Sequence, residues 1–348
     1  MTMPRFPTLL LAAALAAGAP TLLRADTASE QEEKFQKACD AAIDRGLARL
    51  AQNQQPDGSW AGAGPEYAAA YTALPVMAYL ARGYTPNLPP YGDRINRGID
   101  CLLRRQQANG LFSANMYAHC IATLTLAEVS GMVDAERQAR LDAALPKALK
   151  VILDAQRVPK GNGHQGGWRY SHQSNDSDIS LSGWALMSLR AARANGAGVP
   201  AEAIDQAVQF ILRLRNADGG FSYMPGQSNS NLARTGVGLL CLELTGRHRD
   251  DLTRKAGDYI LANFTGSVQN EIFYYSVYYC AQGMFQLGGE EWDKFAPMLY
   301  DLLLKSQQPD GSWPVRGQHE TAYGPNYSTA MAILALSVTC RQLPIYQR

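Results

Sequence analysis

The chain has 348 residues, of which 46% are hydrophobic and 18% are charged. This composition supplies enough apolar surface for a large folded core and excludes a disordered chain. Lys and Arg total 32 against 31 Asp and Glu, a formal net charge of +1. Because no local basic run breaks this balance, the sequence lacks the electrostatic footprint of a nucleic-acid-binding protein, and we expect no nucleic-acid partner.

The first 28 residues are typical of an export signal. Arg5 supplies a positive start, an apolar run follows over residues 9–17, and Ala28 is one of the small residues that suit cleavage. A membrane anchor is the alternative, but Gly18 and Pro20 interrupt a segment that is already short for a span of ~20 apolar residues. We therefore expect a signal peptide at residues 1–28, a periplasmic or secreted location, and no membrane span in the mature form.

A short phrase recurs along the rest of the chain. The segment Gln54–Trp60 reads QQPDGSW and returns unchanged at Gln307–Trp313. Weaker copies close on the aromatic residues Phe112, Trp168 and Phe221. The closing aromatics are separated by 52, 56, 53 and 92 residues. The last interval covers two periods and predicts a degenerate copy near Phe264, so the sequence contains six units of one repeat architecture.

Each unit contains two helical patterns. An amphipathic segment such as residues 39–50 precedes the phrase, and a more uniformly apolar segment such as residues 68–80 follows it. Apolar helices need cover on several sides, which an inner ring wrapped by an outer ring provides. We therefore expect an all-α, single-domain (α/α)6 toroid over residues 29–348. The Gln, Gly and Trp of the phrase are interpreted as scaffold, with Gln bonding carbonyls at a helix end and Trp covering the junction.

The phrase Gln-x-x-Asp-Gly-Ser-Trp resembles the QW repeat of squalene–hopene cyclases and of protein prenyltransferase β subunits. The resemblance runs from about Phe35 to Arg341 and implies the α/α-toroid fold of the terpenoid cyclase and prenyltransferase superfamily. The segments Gly166–Ser180 and Gly288–Ala330 look like exported bacterial single-toroid members with prenyltransferase or squalene-oxidase repeats. Those members are largely without an assigned activity, so the resemblance implies a fold more than a function.

The cyclase resemblance implies an acid. Class II terpene cyclases protonate an alkene with an Asp-x-Asp-Asp motif, and here Asp176 and Asp178 match its first Asp and its proton-donating Asp, while Ile179 replaces the last. The resemblance makes Asp178 the acid, Asp176 its partner, and His172 or His164 a supporting group. The alternative is that these acidic residues cap the apolar helix that follows, and the incomplete motif favours this interpretation.

The prenyltransferase resemblance implies a zinc site, and the sequence argues against one. The positions of the zinc ligands fall at about Tyr274, Ser276 and Ser328, none of which is a zinc ligand of the required kind. The six cysteines include no Cys-x-x-Cys pair and are expected to be buried thiols. We predict no metal and no cofactor.

By analogy with the family, the apolar helices line a central cavity, with their N-termini at one mouth. Aromatic walls with polar groups at the mouth suit a hydrophobic or amphipathic ligand whose polar head lies at the opening. The alternative is that the tyrosines fill the ring as ordinary core. The predicted ligand-binding residues are Trp168, Tyr170, His172, Tyr67, Tyr71, Tyr117, His119, Asn231, Arg234, Tyr275, Tyr278 and Tyr327.

Three functions remain open on the sequence. The first is acid-catalysed terpenoid cyclisation or isomerisation through Asp178 inside such a cavity. The second is a non-catalytic toroid that binds a lipid, a peptide or a protein. The third is cleavage of a polysaccharide, for which Glu66, Asp176, Asp178 and Glu271 are the candidate carboxylates. The sequence does not indicate an oligomeric state.

Overall fold

The computed structural model describes residues 19–264, 272–317 and 320–347, with the backbone alone for residues 19–32. The described residues form twelve α-helices and, apart from two isolated bridges, no β-structure. The helices are α1 (Ala19–Asn53), α2 (Ala68–Ala81), α3 (Gly92–Arg105), α4 (Met116–Val129), α5 (Ala135–Arg157), α6 (Ile179–Ala194), α7 (Ala201–Arg213), α8 (Leu232–Leu244), α9 (Asp251–Asn263), α10 (Phe273–Leu287), α11 (Gly289–Ser306) and α12 (Pro325–Leu336).

The even-numbered helices form a closed inner ring. Each contacts the next in the order α2, α4, α6, α8, α10, α12, and α12 packs back on α2. In the outer layer α11 meets α1, which also contacts α12. The inner helices are buried almost throughout, as in α4, where only Tyr117 is not fully buried. The expected all-α (α/α)6 toroid is therefore confirmed, because helices that are apolar all round need neighbours on every side.

The glutamine of each repeat phrase joins one hairpin to the next. Gln307 Nε2 donates to Gly311 O of its own turn at 2.9 Å and to Ala42 O of α1 at 2.8 Å. Gln54, Gln106 and Gln156 make the same pair of hydrogen bonds, each to its own glycine and to the next outer helix. The glutamine thus holds a neighbouring helix rather than the end of its own. The Gln307 bonds close the outer layer across the two ends of the repeat array.

The tryptophan and the glycine of the phrase are also structural. Trp313 Nε1 donates to Leu303 O at 2.9 Å, and Trp60 makes the equivalent bond to Leu50 O at 2.7 Å. Gly311 has a φ of +86°, and a Cβ there would lie 2.6 Å from the Arg45 carbonyl oxygen. Only glycine fits this close approach of turn and helix. The interpretation of the phrase as scaffold agrees with these contacts.

The N-terminal part of the predicted leader, residues 1–18, lies outside the described residues. Helix α1 begins at Ala19 and continues through Ala28. Among the described helices, none combines the length and the apolar character that a membrane crossing requires. The six cysteines are free thiols, and all but the half-buried Cys340 are buried.

The C-terminal segment closes the end of the ring at which the inner helices finish, here called the base. It contains two short 3₁₀ helices, Ser337–Cys340 and Pro344–Tyr346. Ile345 is buried, and its N–H donates to Glu128 Oε2 of α4 at 3.2 Å. Gln286 Nε2 of α10 donates to Tyr346 O at 2.9 Å. The opposite end, where the inner helices begin, is here called the mouth.

Candidate functional site

A cavity of about 320 Å³ lies at the mouth of the ring. Its lining comes from the first two turns of five inner helices, α2, α4, α6, α10 and α12, and from loops that precede inner helices, including the loop before α8. The lining residues are Tyr67, Ala70, Tyr71, Leu74, Tyr117, Ile121, Tyr170, Ser180, Trp184, Tyr223, Ile272, Tyr275, Tyr323 and Tyr327. Eight of these fourteen are tyrosines, and no carboxylate from the described part of the chain is among them.

The tyrosines provide aromatic walls with a few polar points. Tyr71 Oη donates to Ala63 O at 2.7 Å, and Tyr275 Oη donates to Ser180 O at 3.2 Å. Burial raises the pKa of Tyr117, Tyr275 and Tyr327 well above the ordinary value of a phenol. These hydroxyls therefore stay neutral at physiological pH, so they act as hydrogen-bond donors and acceptors but not as bases.

Asp178 lies behind this lining and caps α6. Its Oδ1 accepts a hydrogen bond from the Leu181 N–H at 2.9 Å, and its Oδ2 lies 3.0 Å from Arg169 Nη1. Burial raises the pKa of Asp178 to about 6, although the capping bond and the Arg169 guanidinium both act to lower it. Asp176 is more exposed and lies 3.4 Å from Arg169 Nε. Both acidic residues predicted from the sequence thus surround one arginine and lie outside the cavity lining.

Arg169 connects this acidic group to the mouth. Its Nη1 donates to Tyr223 Oη at 3.0 Å, and its guanidinium lies over the ring of Tyr170 at 4.4 Å. The hydroxyls of Tyr170 and Tyr223 contact each other. Arg234 approaches the Tyr223 ring at 5.3 Å. The mouth therefore presents guanidinium and phenol groups above an apolar interior.

Glu320 is a buried carboxylate that is not among the residues predicted from the sequence. It accepts hydrogen bonds from the backbone N–H groups of Tyr274 at 2.9 Å and Tyr275 at 3.0 Å, so it caps α10 from a distant segment. Burial raises its pKa to about 7, against the effect of these bonds and of the Tyr327 hydroxyl. No local motif could have revealed this role, because its partners lie about 45 residues earlier in the chain.

The structure brings together about half of the predicted ligand-binding residues. Those that line the cavity are Tyr67, Tyr71, Tyr117, Tyr170, Tyr275 and Tyr327. Those that do not are Trp168, His119, His172, Asn231, Arg234 and Tyr278. Trp184, Tyr223 and Tyr323 line the cavity although they were not among the predicted ligand-binding residues. Glu271, one of the candidate carboxylates, lies outside the described residues.

Several of the residues away from the lining have structural partners. His119 is buried, with Nε2 3.1 Å from Ala148 O and Nδ1 accepting from Phe112 N, and burial lowers its pKa to about 4. Trp168 Nε1 donates to Ile152 O at 2.7 Å. The other repeat tryptophans, Trp60 and Trp313, make the equivalent bond to the outer helix that precedes them. His119 and Trp168 belong to the scaffold because their polar atoms are already used.

Other residues predicted for the site cap helices or lie in loops. Asn231 caps α8, accepting from Arg234 N at 2.9 Å. His164 Nδ1 accepts from Ser177 N at 2.9 Å, while His172 Nδ1 is buried and lacks a hydrogen-bond partner among the described residues. The side-chain hydrogen bonds of Asp178 come from Leu181 and Arg169 and from neither histidine, and the supporting role inferred from the resemblance stays a prediction.

The positions aligned with the zinc ligands of prenyltransferases make bonds to backbone carbonyls. Tyr274 Oη donates to Pro314 O at 2.6 Å, Ser276 Oγ to Ile272 O at 2.8 Å, and Ser328 Oγ to Trp313 O at 2.7 Å. Across the described residues, no three His, Cys, Asp or Glu side chains are grouped so that they could hold a metal ion.

Comparison with known proteins identifies the fold. Residues 49–266 match the model of the prenyltransferase alpha-alpha toroid domain. The type II terpene cyclase MstE from Scytonema superposes with a TM-score of 0.60 at 15% identity, covering 88% of this chain and 99% of that chain. A point variant of MstE has also been solved with the substrate geranylgeranyl dihydroxybenzoate, and it matches at 16% identity with a TM-score of 0.58, covering 89% of this chain and 99% of that chain.

A second class of enzyme has the same architecture. An inactive variant of the α-1,6-mannanase GH76A of Salegentibacter sp., solved with α-1,6-mannotetrose, gives a TM-score of 0.61 at 9% identity, covering 88% of this chain and 99% of that chain. No curated protein sequence gives a significant match. At these identities the structures share a fold with this chain, and the fold alone does not select an activity.

Proposed function

The chain belongs to the prenyltransferase α/α-toroid family, and within it we propose that this protein is an exported binding protein for a compact amphipathic molecule. The observation that carries the proposal is the cavity lining, in which eight tyrosines and Trp184 surround a space of about 320 Å³ without a carboxylate from the described residues. That volume is at the small end of the range of ligand pockets. A planar or short apolar body would lie against the aromatic rings.

The polar head of the ligand would lie at the mouth. Tyr170 is 43% exposed there, and its hydroxyl pairs with Tyr223. Arg234 uses one guanidinium nitrogen to donate to Asn229 O at 3.0 Å and has further donors for a ligand oxygen. An arrangement with donors at the rim and apolar walls below suits an alcohol, a phenol or a carboxylate attached to an apolar body.

Acid catalysis through Asp178 is the second candidate. It is favoured by the raised pKa of the Asp178 carboxyl, about 6, and by the path from Asp178 through Arg169 to Tyr223 at the cavity. Both carboxyl oxygens of Asp178 already accept hydrogen bonds, one from the helix and one from a guanidinium. These two hydrogen bonds stabilise the ionised form against the larger effect of burial, whereas protonation of an alkene needs the neutral acid, and Asp178 does not line the cavity. Binding therefore has the stronger support.

Polysaccharide cleavage has less support from the site. Glycoside hydrolysis uses two carboxyl groups about 5–10 Å apart on either side of the bond that breaks. In the described chain, Asp178 and Glu320 both cap helices, and Asp176 shares Arg169 with Asp178 outside the lining. Glu66 is exposed and also outside the lining. No two carboxyl groups of the described residues therefore face each other across the cavity, and the shared fold with a mannanase does not change this.

Titration calorimetry with 4-propylphenol and 1-naphthol tests the binding proposal. The wild-type protein should bind at least one probe, and replacing both Tyr71 and Tyr327 by Ala should weaken binding by tenfold or more. Tyr84→Ala is the matched control, since Tyr84 packs outside the cavity against Tyr91. The proposal is overturned if neither probe binds to folded protein, or if Tyr84→Ala weakens binding as much as the cavity variant does.

Mass spectrometry separates binding from catalysis. The purified protein is incubated with farnesol, an amphipathic terpenoid alcohol, and the mixture is examined for bound farnesol and for cyclised products. Retention of unchanged farnesol supports the binding function. A cyclised product that Asp178→Asn abolishes, while the variant remains folded, would replace the binding function with the catalytic one.

A further inference from the structure

We infer that Trp184, supported by Tyr278 and by Tyr346 of the C-terminal segment, sets the length of ligand that the cavity accepts; this inference rests on the proposed binding function. Among the lining residues, Trp184, Leu74 and Ile121 follow the start of their inner helices by the largest number of positions, five or six. Trp184 follows the first residue of α6 by five positions, which places it about 7–8 Å along the helix axis. Helix α6 has 16 residues, so the cavity ends in the upper half of the ring.

The floor is a stack of aromatic side chains. The rings of Trp184 and Tyr278 lie nearly parallel, with their centroids 5.6 Å apart and an interplanar angle of 7°. Tyr279 meets Trp184 edge-on at 5.5 Å. Both tyrosines are fully buried and absent from the lining, so they lie behind the tryptophan rather than beside the ligand. Removing the indole would therefore extend the cavity towards Tyr278.

The C-terminal segment supports this stack from the base. The hydroxyl of Tyr346 contacts the hydroxyl of Tyr278, and the Tyr346 carbonyl accepts from Gln286 of α10. The neighbouring Ile345 N–H is bound by Glu128 of α4. A segment outside the twelve helices thus completes the floor, so the depth of the cavity depends on the C-terminal residues as well as on α6.

Packing alone holds the indole of Trp184. Its Nε1 is buried and has no hydrogen-bond partner among the described residues. Replacement by a smaller apolar residue therefore breaks no hydrogen bond and changes mainly volume. Trp184→Leu keeps an apolar side chain at the floor, and Trp184→Phe is a milder second variant if Trp184→Leu fails to fold.

A homologous series of 4-alkylphenols measures the length limit by calorimetry. Each added methylene should tighten binding about fourfold while the chain still finds apolar surface. In the wild-type protein this gain should stop at a defined chain length. In Trp184→Leu the gain should continue for at least one further methylene, so that the longest alkyl chain that still tightens binding is longer than in wild type.

Two further variants test the supporting residues. Tyr346→Ala removes the ring below Tyr278 and should also allow a longer alkyl chain before the gain in affinity stops. Tyr346→Phe keeps the ring and should leave the limiting chain length unchanged. Trp292→Leu is the matched control for the loss of an indole, because Trp292 packs against Phe285 in the outer wall. It should leave the limit at the wild-type length.

The outcomes separate this inference from the binding function. If short alkylphenols bind but the limit is the same in wild type, Trp184→Leu and Tyr346→Ala, the inference is overturned and the binding function stands. An equal shift in Trp292→Leu also overturns it, because the effect would then be general loosening. If no alkylphenol binds to folded wild-type protein, the binding function fails and the inference fails with it.

Discussion

The carboxylate of Asp178 accepts a hydrogen bond at 2.9 Å from the backbone N–H of Leu181, three residues later in the chain. This geometry is that of a helix N-cap and satisfies one of the free donors at the start of α6. The second oxygen faces Arg169. The alternative derived from the residues, a cap before an apolar helix, therefore describes the position of Asp178, while its role as an acid stays a prediction.

Replacing Asp178 should separate its capping role from its charge. Asp178→Ala loses the cap and also leaves Arg169 without its buried partner, whereas Asn is itself a good capping residue. We expect Asp178→Ala to have a free energy of unfolding at least about 1 kcal/mol below that of Asp178→Asn. Urea unfolding monitored by circular dichroism measures the difference. Asp176→Ala, at a more exposed ion pair, should change stability by less than about 1 kcal/mol.

Gln307 should contribute to stability through closure of the ring. Gln307→Ala leaves the carbonyls of Ala42 and Gly311 without their shared donor, which should cost about 1–3 kcal/mol. Gln307→Glu has nearly the same shape and keeps an acceptor for Arg45, but it presents an oxygen to both carbonyls, so it should also be destabilising. The exposed neighbour Gln308 is the control, and Gln308→Ala should be nearly neutral. Equal unfolding midpoints for Gln307→Ala and Gln308→Ala would contradict the role of Gln307 in closing the ring.

Glu320 should hold the start of α10 and, through it, the wall of the cavity. Glu320→Ala removes the acceptor for the N–H groups of Tyr274 and Tyr275 and leaves two buried donors unsatisfied. We expect a loss of about 2–4 kcal/mol in the free energy of unfolding. Glu320→Gln keeps one acceptor oxygen and should lose less. Denaturant unfolding of the two variants gives the comparison, and the reverse order would rule out the capping role.

The sequence predicts the architecture well because the fold depends on repeated local features. The spacing of the closing aromatics counts the hairpins, and the uniformly apolar segments select a closed inner ring, as the packing of α12 on α2 confirms. Even the degenerate unit is recognisable. Phe264 follows α9 and packs edge-on against Phe295 at 4.7 Å, in the place where the period requires a closing aromatic.

The side chains that line the cavity are harder to predict, because the inner helices are apolar on every side. A helix that is apolar all round has no polar stripe, so its sequence does not show which side faces the cavity. Tyr274 and Tyr275 are adjacent, yet the hydroxyl of Tyr274 bonds Pro314 O while Tyr275 lines the cavity. Tyr278 lies one turn below Tyr275 and is already behind the floor. Trp184 is within an apolar run, where nothing in the pattern distinguishes it from core.

Glu128 should make the protein less stable as the pH rises. Burial raises the pKa of this carboxyl from 4.5 to about 8, against a single backbone hydrogen bond from Ile345. Its second oxygen, Oε1, has no partner among the described residues. The folded protein therefore retains a proton that the unfolded chain releases above its ordinary pKa. The stabilising effect of this proton is complete below pH 4.5, declines as the pH rises to about 8, and is absent above that value.

Glu128→Gln removes this titration while preserving size and an acceptor for Ile345. The difference in free energy of unfolding, variant minus wild type, should increase by about 1 kcal/mol for each pH unit between pH 5 and pH 8. Above pH 8 this difference should be constant. Urea unfolding at several pH values measures both proteins. For Glu320→Gln the corresponding increase should stop at a lower pH, since burial raises the pKa of Glu320 only to about 7. A difference between wild type and Glu128→Gln that does not vary with pH would show that Glu128 is ionised in the folded protein at neutral pH.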